Sequence, residues 1–287
     1  MREMSAETLR GGYRSALANL NLALWLPLGW VVLLLLMVFF ADFLPLLGPT
    51  ESDFTALKVR PSLEFLLGTD VLGRDIFSRV IYGARISLTV GFFAPVIGMI
   101  IGLFFGMMAG YYRGKFESLI VGLVDIILAF PNIVLAMCIL FFAGANMVNL
   151  IIVLSITSIP ANTRIARAST LVFAKREFVI AARSQGASDS RILILEILPN
   201  IILPQLAYIL SFMSIVIMIE GSLAFLGVGI PPPTPTLGSM IAQGFSDINT
   251  DPHITFMPAL FLFLTVLSLN LIGDYLRKKF LTREGGL

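Results

Sequence analysis

Histidine and cysteine are almost absent: the 287-residue chain holds one of each, His253 and Cys138. A single imidazole excludes a zinc or haem site built from several histidines, and a single thiol inside an apolar run excludes an intrachain disulfide or a cysteine cluster. Charge is scarce too, at 13% of residues, and a net charge of +2 is too small to point to nucleic acid. No G-x-x-x-x-G-K-[ST] phosphate loop occurs. The run 110–115 has neither that spacing nor a following Ser or Thr, so nothing here cradles the β- and γ-phosphates of ATP. Isolated carboxylates with no evident nucleophile and base pair speak against an enzyme buried in a membrane.

What the chain has in abundance is apolar sequence: 57% of its residues are hydrophobic, and the mean hydropathy is +0.92. A soluble domain does not carry that balance, so the composition predicts an all-α polytopic membrane protein. Six spans are expected. The first, 22–41, follows Arg10 and Arg14, is long enough to cross at about 20 residues, and has no small-x-small cleavage site after it, so it reads as a retained helix. The second, 86–110, carries Gly98, Gly102, Gly106 and Gly110 at four-residue spacing, a ridge that lets another helix approach closely. Packing within the chain is favoured over a dimer contact for this ridge. The third covers 119–143 and contains Asp125 and Pro131. A turn at 144–149 leads to the fourth, which runs into Pro160, Arg164 and Arg167; the fifth is 201–225 and the sixth 256–275.

Lysine and arginine orient these spans. Fifteen of the 20 fall in segments sharing a side with the N-terminus, and the other five all lie between 42 and 85. The expected organisation is therefore a cytoplasmic segment 1–21, the first span 22–41, an external segment 42–85 ending in an amphipathic interfacial helix, a five-helix core 86–275, and a cytoplasmic tail 276–287. Within that core, the loop 168–200 faces the cytoplasm. The loop 227–255, stiffened by Pro231, Pro232, Pro233 and Pro235 and lacking basic residues, faces outside.

The polar stretch 176–204 is the one long interruption of the apolar pattern. Residues 168–185 have helix-forming composition, Gly186 suits a left-handed stop, Ser188 can cap a second short helix, and Pro199 fits the start of the next span. The result is a helix, a bend and a second helix at the membrane face, a knob that another protein can grip. Two carboxylates lie inside apolar spans, Asp125 and Glu220. Each costs about 2.5–3.5 kcal/mol unpaired at the bilayer centre, so both are expected to face protein or water. Glu220 and Asp125 are candidates for the translocation path or gate, Glu220 for its external end; the alternative for Glu220 is a buried hydrogen bond or a partner in the loop 227–255. Asp274, near the boundary, reads as structural.

The same stretch resembles the loop written E-A-A, three residues, G, nine residues, I-x-L-P in the membrane subunits of bacterial ABC importers. Ala181, Ala182, Gly186, Leu198 and Pro199 fall on it, with Ile180 at the acidic position. The blocks FLLGTDVLGRDIFSRVIYGARISLTVG (65–91), GYYRGKFESLIVGLVDIILAFPNIVLA (110–136), EGSLAFLGVGIPPPTPTLGSMIAQG (220–244) and LNLIGDYLRKKF (269–280) are similar to the peptide-type branch, in the same order. The resemblance is to the second, C-type permease of oligopeptide and dipeptide importers. It implies the type I importer permease architecture in a bacterial cytoplasmic membrane, with both termini inside. The implied partners are a homologous second permease, two ATPase subunits that hold the ATP and Mg, an external substrate-binding protein, and a peptide substrate. On this resemblance Ala181, Ala182, Gly186, Ala187, Ser188, Asp189, Leu198 and Pro199 form the ATPase-docking loop, while no cofactor or metal is held by the chain itself. Nickel chelates or glutathione are alternative cargoes in the same family, and an ion-coupled carrier or channel is an alternative from another class.

Overall fold

Backbone N–H and C=O groups find no water in a bilayer core, so a chain this apolar satisfies them inside helices. The computed structural model describes residues 24–284, and these are helical apart from turns and a long irregular segment at 44–75. In chain order the helices are α1 (Leu24–Phe39), α2 (Ile76–Tyr112), α3 (Gly114–Leu128), α4 (Asn132–Ala143), α5 (Met147–Phe173), α6 (Glu177–Ser184), α7 (Asp189–Phe225), α8 (Leu237–Gly244) and α9 (His253–Glu284). The expected segment 1–21 with Arg10 and Arg14, residues 22–23 of the first span and residues 285–287 of the tail lie outside the described residues.

The expectation of six spans is corrected. Among the described residues four helices, α2, α5, α7 and α9, are long and apolar enough to cross a membrane, or up to five spans if the bent pair α3–α4 counts as one. Two expected spans account for the difference. The described part of the first, α1, is about 16 residues and so about 24 Å long at 1.5 Å per residue, short of a hydrocarbon core about 30 Å thick. The third breaks between α3 and α4, whose axes differ by 83°. Pro131 stands at that break; it has no N–H to continue a helix, and it disfavours helical backbone at Phe130 before it.

Helix α2 extends beyond the span expected for it. The Asp75 carboxylate caps its start, accepting from the Phe77 and Ser78 N–H groups, so the residues expected to form a separate interfacial helix are its first turns. Ile76, Val80, Ile81 and Ala84 are buried there, and so is Arg79 at 1% exposure. That face packs on protein, where an interfacial helix would snorkel its arginine to water.

The glycine ridge of α2 lies against α5 within the same chain. A Cβ placed on Gly98, Gly102, Gly106 or Gly110 would come within 2.7, 2.6, 2.5 and 2.8 Å of the Cβ atoms of Ser158, Asn162, Ala166 and Thr170. The two four-residue ridges mesh turn by turn, and the backbones approach to a distance that side chains would forbid. Around this pair, Val90, Ala94, Leu140, Leu150, Leu154 and Leu223 join α4 and α7 to α2 and α5. Leu34, Ile76, Val80, Leu237, Met240 and Ile254 bring in α1, α8 and α9. Gly106→Leu should therefore destabilise the fold by about 1–3 kcal/mol or more, because the Thr163 carbonyl stands 2.5 Å from the new Cβ and cannot turn away. Gly122→Leu, where the Cβ meets nothing within 4 Å, should not; thermal unfolding of both variants in detergent checks the contrast.

Candidate functional site

The polar stretch folds as two helical arms around a glycine. Helix α5 closes at Phe173, a turn follows at 174–176, and α6 occupies Glu177–Ser184, so the single helix expected over 168–185 is in fact broken. Gly186 takes φ +82°, a backbone that L side chains adopt only with strain. The Ser188 side chain then accepts from the Arg191 N–H and caps the second arm. That arm does not end before the next span. Residues 192–197 wind as a π-helix, the Leu198 N–H reaching Leu193 O, and the chain runs on to Phe225. The wider turn falls just ahead of Pro199, whose ring would otherwise meet the Leu195 carbonyl of a regular helix.

The expected docking residues divide between two faces. Ala182, Ala187 and Leu198 turn inward and pack on a cluster formed by Val179, Ile192, Leu193 and Ile197 with Leu103 and Met107 of α2. Ala181, Gly186, Ser188, Asp189 and Pro199 are exposed, and a Cβ on Gly186 would meet nothing within 4 Å. Gly186 is therefore needed for its backbone angle, not for close approach within the chain. One contact was not anticipated. The Tyr111 hydroxyl, at the end of α2, donates to Asp189 Oδ1 at 2.7 Å and accepts from Arg183 Nη2 at 2.8 Å. The block GYYRGKFE contained this tyrosine, but nothing in its spacing relates it to residues over 70 positions away.

The two carboxylates of the apolar spans have opposite settings. Asp125 is exposed and pairs with Arg164 Nη2 at 2.6 Å; a second pair, Arg167 with Glu117, also joins α3 to α5. Glu220 is fully buried. Its Oε2 accepts from Ser87 Oγ at 2.9 Å, the Ser87 Oγ in turn accepts from the Leu237 N–H at 3.4 Å, and Glu220 Oε1 has no hydrogen-bond partner. Glu220 thus sits where α7, α2 and the start of α8 meet. Helix α8 itself was not expected in the proline-rich loop. Its signal is the reciprocal cap, in which Thr236 Oγ1 accepts from Ser239 N and Ser239 Oγ accepts from Thr236 N, a weak pattern without Glu or Gln at the third position.

At the end of the bundle away from the knob, residues 44–75 fold into a knot against α8 and α9. Asp70 accepts from the Leu72 and Arg74 N–H groups and pairs with Arg74 Nε at 2.7 Å. Arg79 Nη1 donates to Pro49 O at 2.8 Å, and Arg74 Nη2 reaches Gln243 Oε1 at 3.3 Å. Gly73, at φ +71°, lies so close to the Asp53 carbonyl that no side chain fits. Lys58 Nζ pairs with Asp247 at 2.5 Å, a hydrogen bond that raises the lysine and lowers the carboxyl from their ordinary pKa ranges. The LGTD block is thus a structural knot. Among the described residues no group of three His, Cys, Asp or Glu is placed to hold a metal ion.

A family model described as "Binding-protein-dependent transport system inner membrane component" matches residues 102–282, from the glycine ridge through the knob to the last helix. The chain belongs to this family. It is similar to the glutathione transport system permease protein GsiD of Pectobacterium atrosepticum, 40% identical over 249 residues, covering 86% of this chain and 83% of that protein. The GsiD of Escherichia coli O6:K15:H31 is 43% identical over 249 residues, with 86% and 82% covered. Among solved structures, the MetNI methionine ABC transporter in an inward-facing conformation aligns with a TM-score of 0.59, 19% identity, and 71% of this chain and 97% of the other covered. That likeness shows the fold alone. The protein is a non-catalytic, multi-pass inner-membrane permease subunit of a binding-protein-dependent transport system.

In this permease Glu220 is a joint among three helices, so removing it and neutralising it should differ. Glu220→Ala leaves the Ser87 hydroxyl without its buried acceptor, at a cost of about 1–3 kcal/mol, and should lower the thermal midpoint of the purified subunit. Glu220→Gln keeps an acceptor oxygen and should stay near the wild-type midpoint.

Proposed function

We propose that this permease forms part of a path for glutathione, a γ-glutamyl tripeptide, from outside the cell to the cytoplasm. The observation that carries this reading is the 40–43% identity over 249 residues with permeases of glutathione transport systems. The LGTD block and its companions support di- or oligopeptides as a second reading; both cargoes present an extended peptide backbone with charged ends.

Both termini and the knob face the cytoplasm in this proposal, since their side of the membrane holds 15 of the 20 Lys and Arg. A homologous second permease completes the path, and two ATPase subunits holding ATP and Mg dock on the knobs. Ala181, Gly186, Ser188, Asp189 and Pro199 supply the exposed face of that contact, while Ala182, Ala187 and Leu198 seat it on the bundle. ATP binding draws the ATPases together, the knobs follow, and the spans alternate between openings. Glu220 lies at the far end from the knob, where α8 closes on α2 and α7, and is the better gate candidate. Asp125, exposed and paired with Arg164, belongs to the α3–α5 brace.

Cells expressing the permease with its partner permease, ATPases and binding protein should accumulate labelled glutathione, stop on ATP depletion, and resist competition by excess dipeptide. Uptake of dipeptide or oligopeptide in place of glutathione would reassign the cargo, and uptake surviving ATP depletion on a proton or sodium gradient would replace the whole reading with a carrier. In the same assay Gly186→Trp should insert normally and lose most uptake, while Gly186→Asn, which tolerates the left-handed backbone, should retain more. Wild-type uptake by an assembled Gly186→Trp transporter would remove the docking role, and wild-type uptake by Glu220→Gln would remove the gate role.

A further inference from the structure

Tyr111 lies in the last turn of α2, one residue before its end at Tyr112, and both arms of the knob meet at its hydroxyl. Arg183 reaches it from the first arm and Asp189 from the second, at 2.8 and 2.7 Å. Gly186 lies between them in sequence, so the hydroxyl closes a ring across the bend. The chain of bonds has one polarity: guanidinium donates only, carboxylate accepts only, and the phenol does one of each. The Arg183 guanidinium also stands 5.4 Å from the centre of the Tyr111 ring, within cation–π range, and the ring packs on the same apolar cluster as Ala182 and Ala187. Among the described residues, the other side-chain hydrogen bonds of 177–191 stay within that stretch. Tyr111 is therefore the side chain from another helix that hydrogen-bonds both arms, above the apolar packing of Leu103 and Met107.

The helix that carries Tyr111 is also the one that reaches Glu220. Ser87, whose hydroxyl donates to Glu220, lies on α2 24 positions before Tyr111, about 36 Å along the axis. Between the two, Gly98, Gly102, Gly106 and Gly110 lock α2 against α5. We propose that Tyr111 is a positioning residue for transport: it makes displacement of the knob a displacement of α2, and α2 carries that displacement to the joint at Ser87 and Glu220. The proposal rests on the reading of the knob as the ATPase-docking element.

The test uses the complete transporter, with both permeases, the ATPases and the binding protein, in proteoliposomes, and reads solute moved per ATP hydrolysed. Tyr111→Phe keeps the ring, its packing and the cation–π contact, and removes only the hydroxyl. The expected result is a fall in that ratio of roughly threefold or more, the scale of coupling between contacting side chains, with subunit stoichiometry and ATP hydrolysis retained. A role confined to stability would lower the yield of assembled transporter and leave the ratio alone. Arg183→Ala and Asp189→Ala remove the partners of the hydroxyl without changing α2 and should each lower the ratio at least as far, since Arg183→Ala also loses the cation–π contact and Asp189 also belongs to the exposed docking face. Adding Tyr111→Phe to the Arg183→Ala/Asp189→Ala double variant should cost nothing further. An unchanged ratio in Tyr111→Phe, or a full additional loss in the triple variant, overturns the proposal. Cysteine crosslinking from Ser184→Cys to the ATPase separates the two readings: a crosslink with an unchanged Tyr111→Phe ratio sinks this inference alone. No crosslink in the otherwise wild-type transporter sinks the docking reading and this inference together.

Discussion

The backbone contact between α2 and α5 is the constraint on which the rest of the permease depends. Four glycines a turn apart remove every side chain from one stripe of α2, and Ser158, Asn162, Ala166 and Thr170 fill the space they leave. In a bilayer the hydrophobic effect does little to draw helices together, so close van der Waals contact of this kind is what holds them. The pair then serves as a spine. Helices α4 and α7 pack on one stretch of it, the knob rests on the end near Tyr111, and α1, α8 and α9 gather at the end near Ile76.

Polar groups are few in this chain, and they concentrate where elements must be fixed relative to one another. Asp70, Arg74 and Arg79 tie the segment 44–75 to itself, and Lys58 ties it to Asp247 beyond α8. Arg164 and Arg167 hold α3 to α5 through Asp125 and Glu117. Glu220 joins three helices through Ser87 and the start of α8. Apart from the Asp70–Arg74 pair, which is four residues apart, these contacts are long range in sequence, and they lie where loop geometry alone would leave the elements free to shift. Such discrete joints matter because packed apolar interfaces slide or hold as units and do not deform continuously.

The knob shows how local chemistry and tertiary context share the work. Gly186 and Ser188 fix the bend and the cap by themselves, the one through its lack of a Cβ and the other through its hydroxyl. The inward turn of Ala182 and Ala187 depends on the apolar cluster beneath them. The break at 174–176 and the π turn at 192–197 were not legible, since no residue there forbids a continuous α-helix except Pro199, and its effect depends on how the preceding turn adapts.

By itself the sequence determined the all-α membrane class, four of the expected spans and the family. Apolar length and the bilayer's demand for internal hydrogen bonding impose α2, α5, α7 and α9, and the spacing around Ala181, Gly186 and Pro199 carries the resemblance to the importer loop. The four-residue glycine spacing also forecast a close helix contact within the chain. Only the tertiary structure decided that Pro131 splits a span by 83°, that Arg79 is buried, and that Tyr111 meets Arg183 and Asp189. The reason is common to all three. Hydropathy and turn chemistry act over a few residues and can be read along the chain, whereas the angle of a break and the partner of a buried polar group are set by which surfaces happen to lie opposite in space.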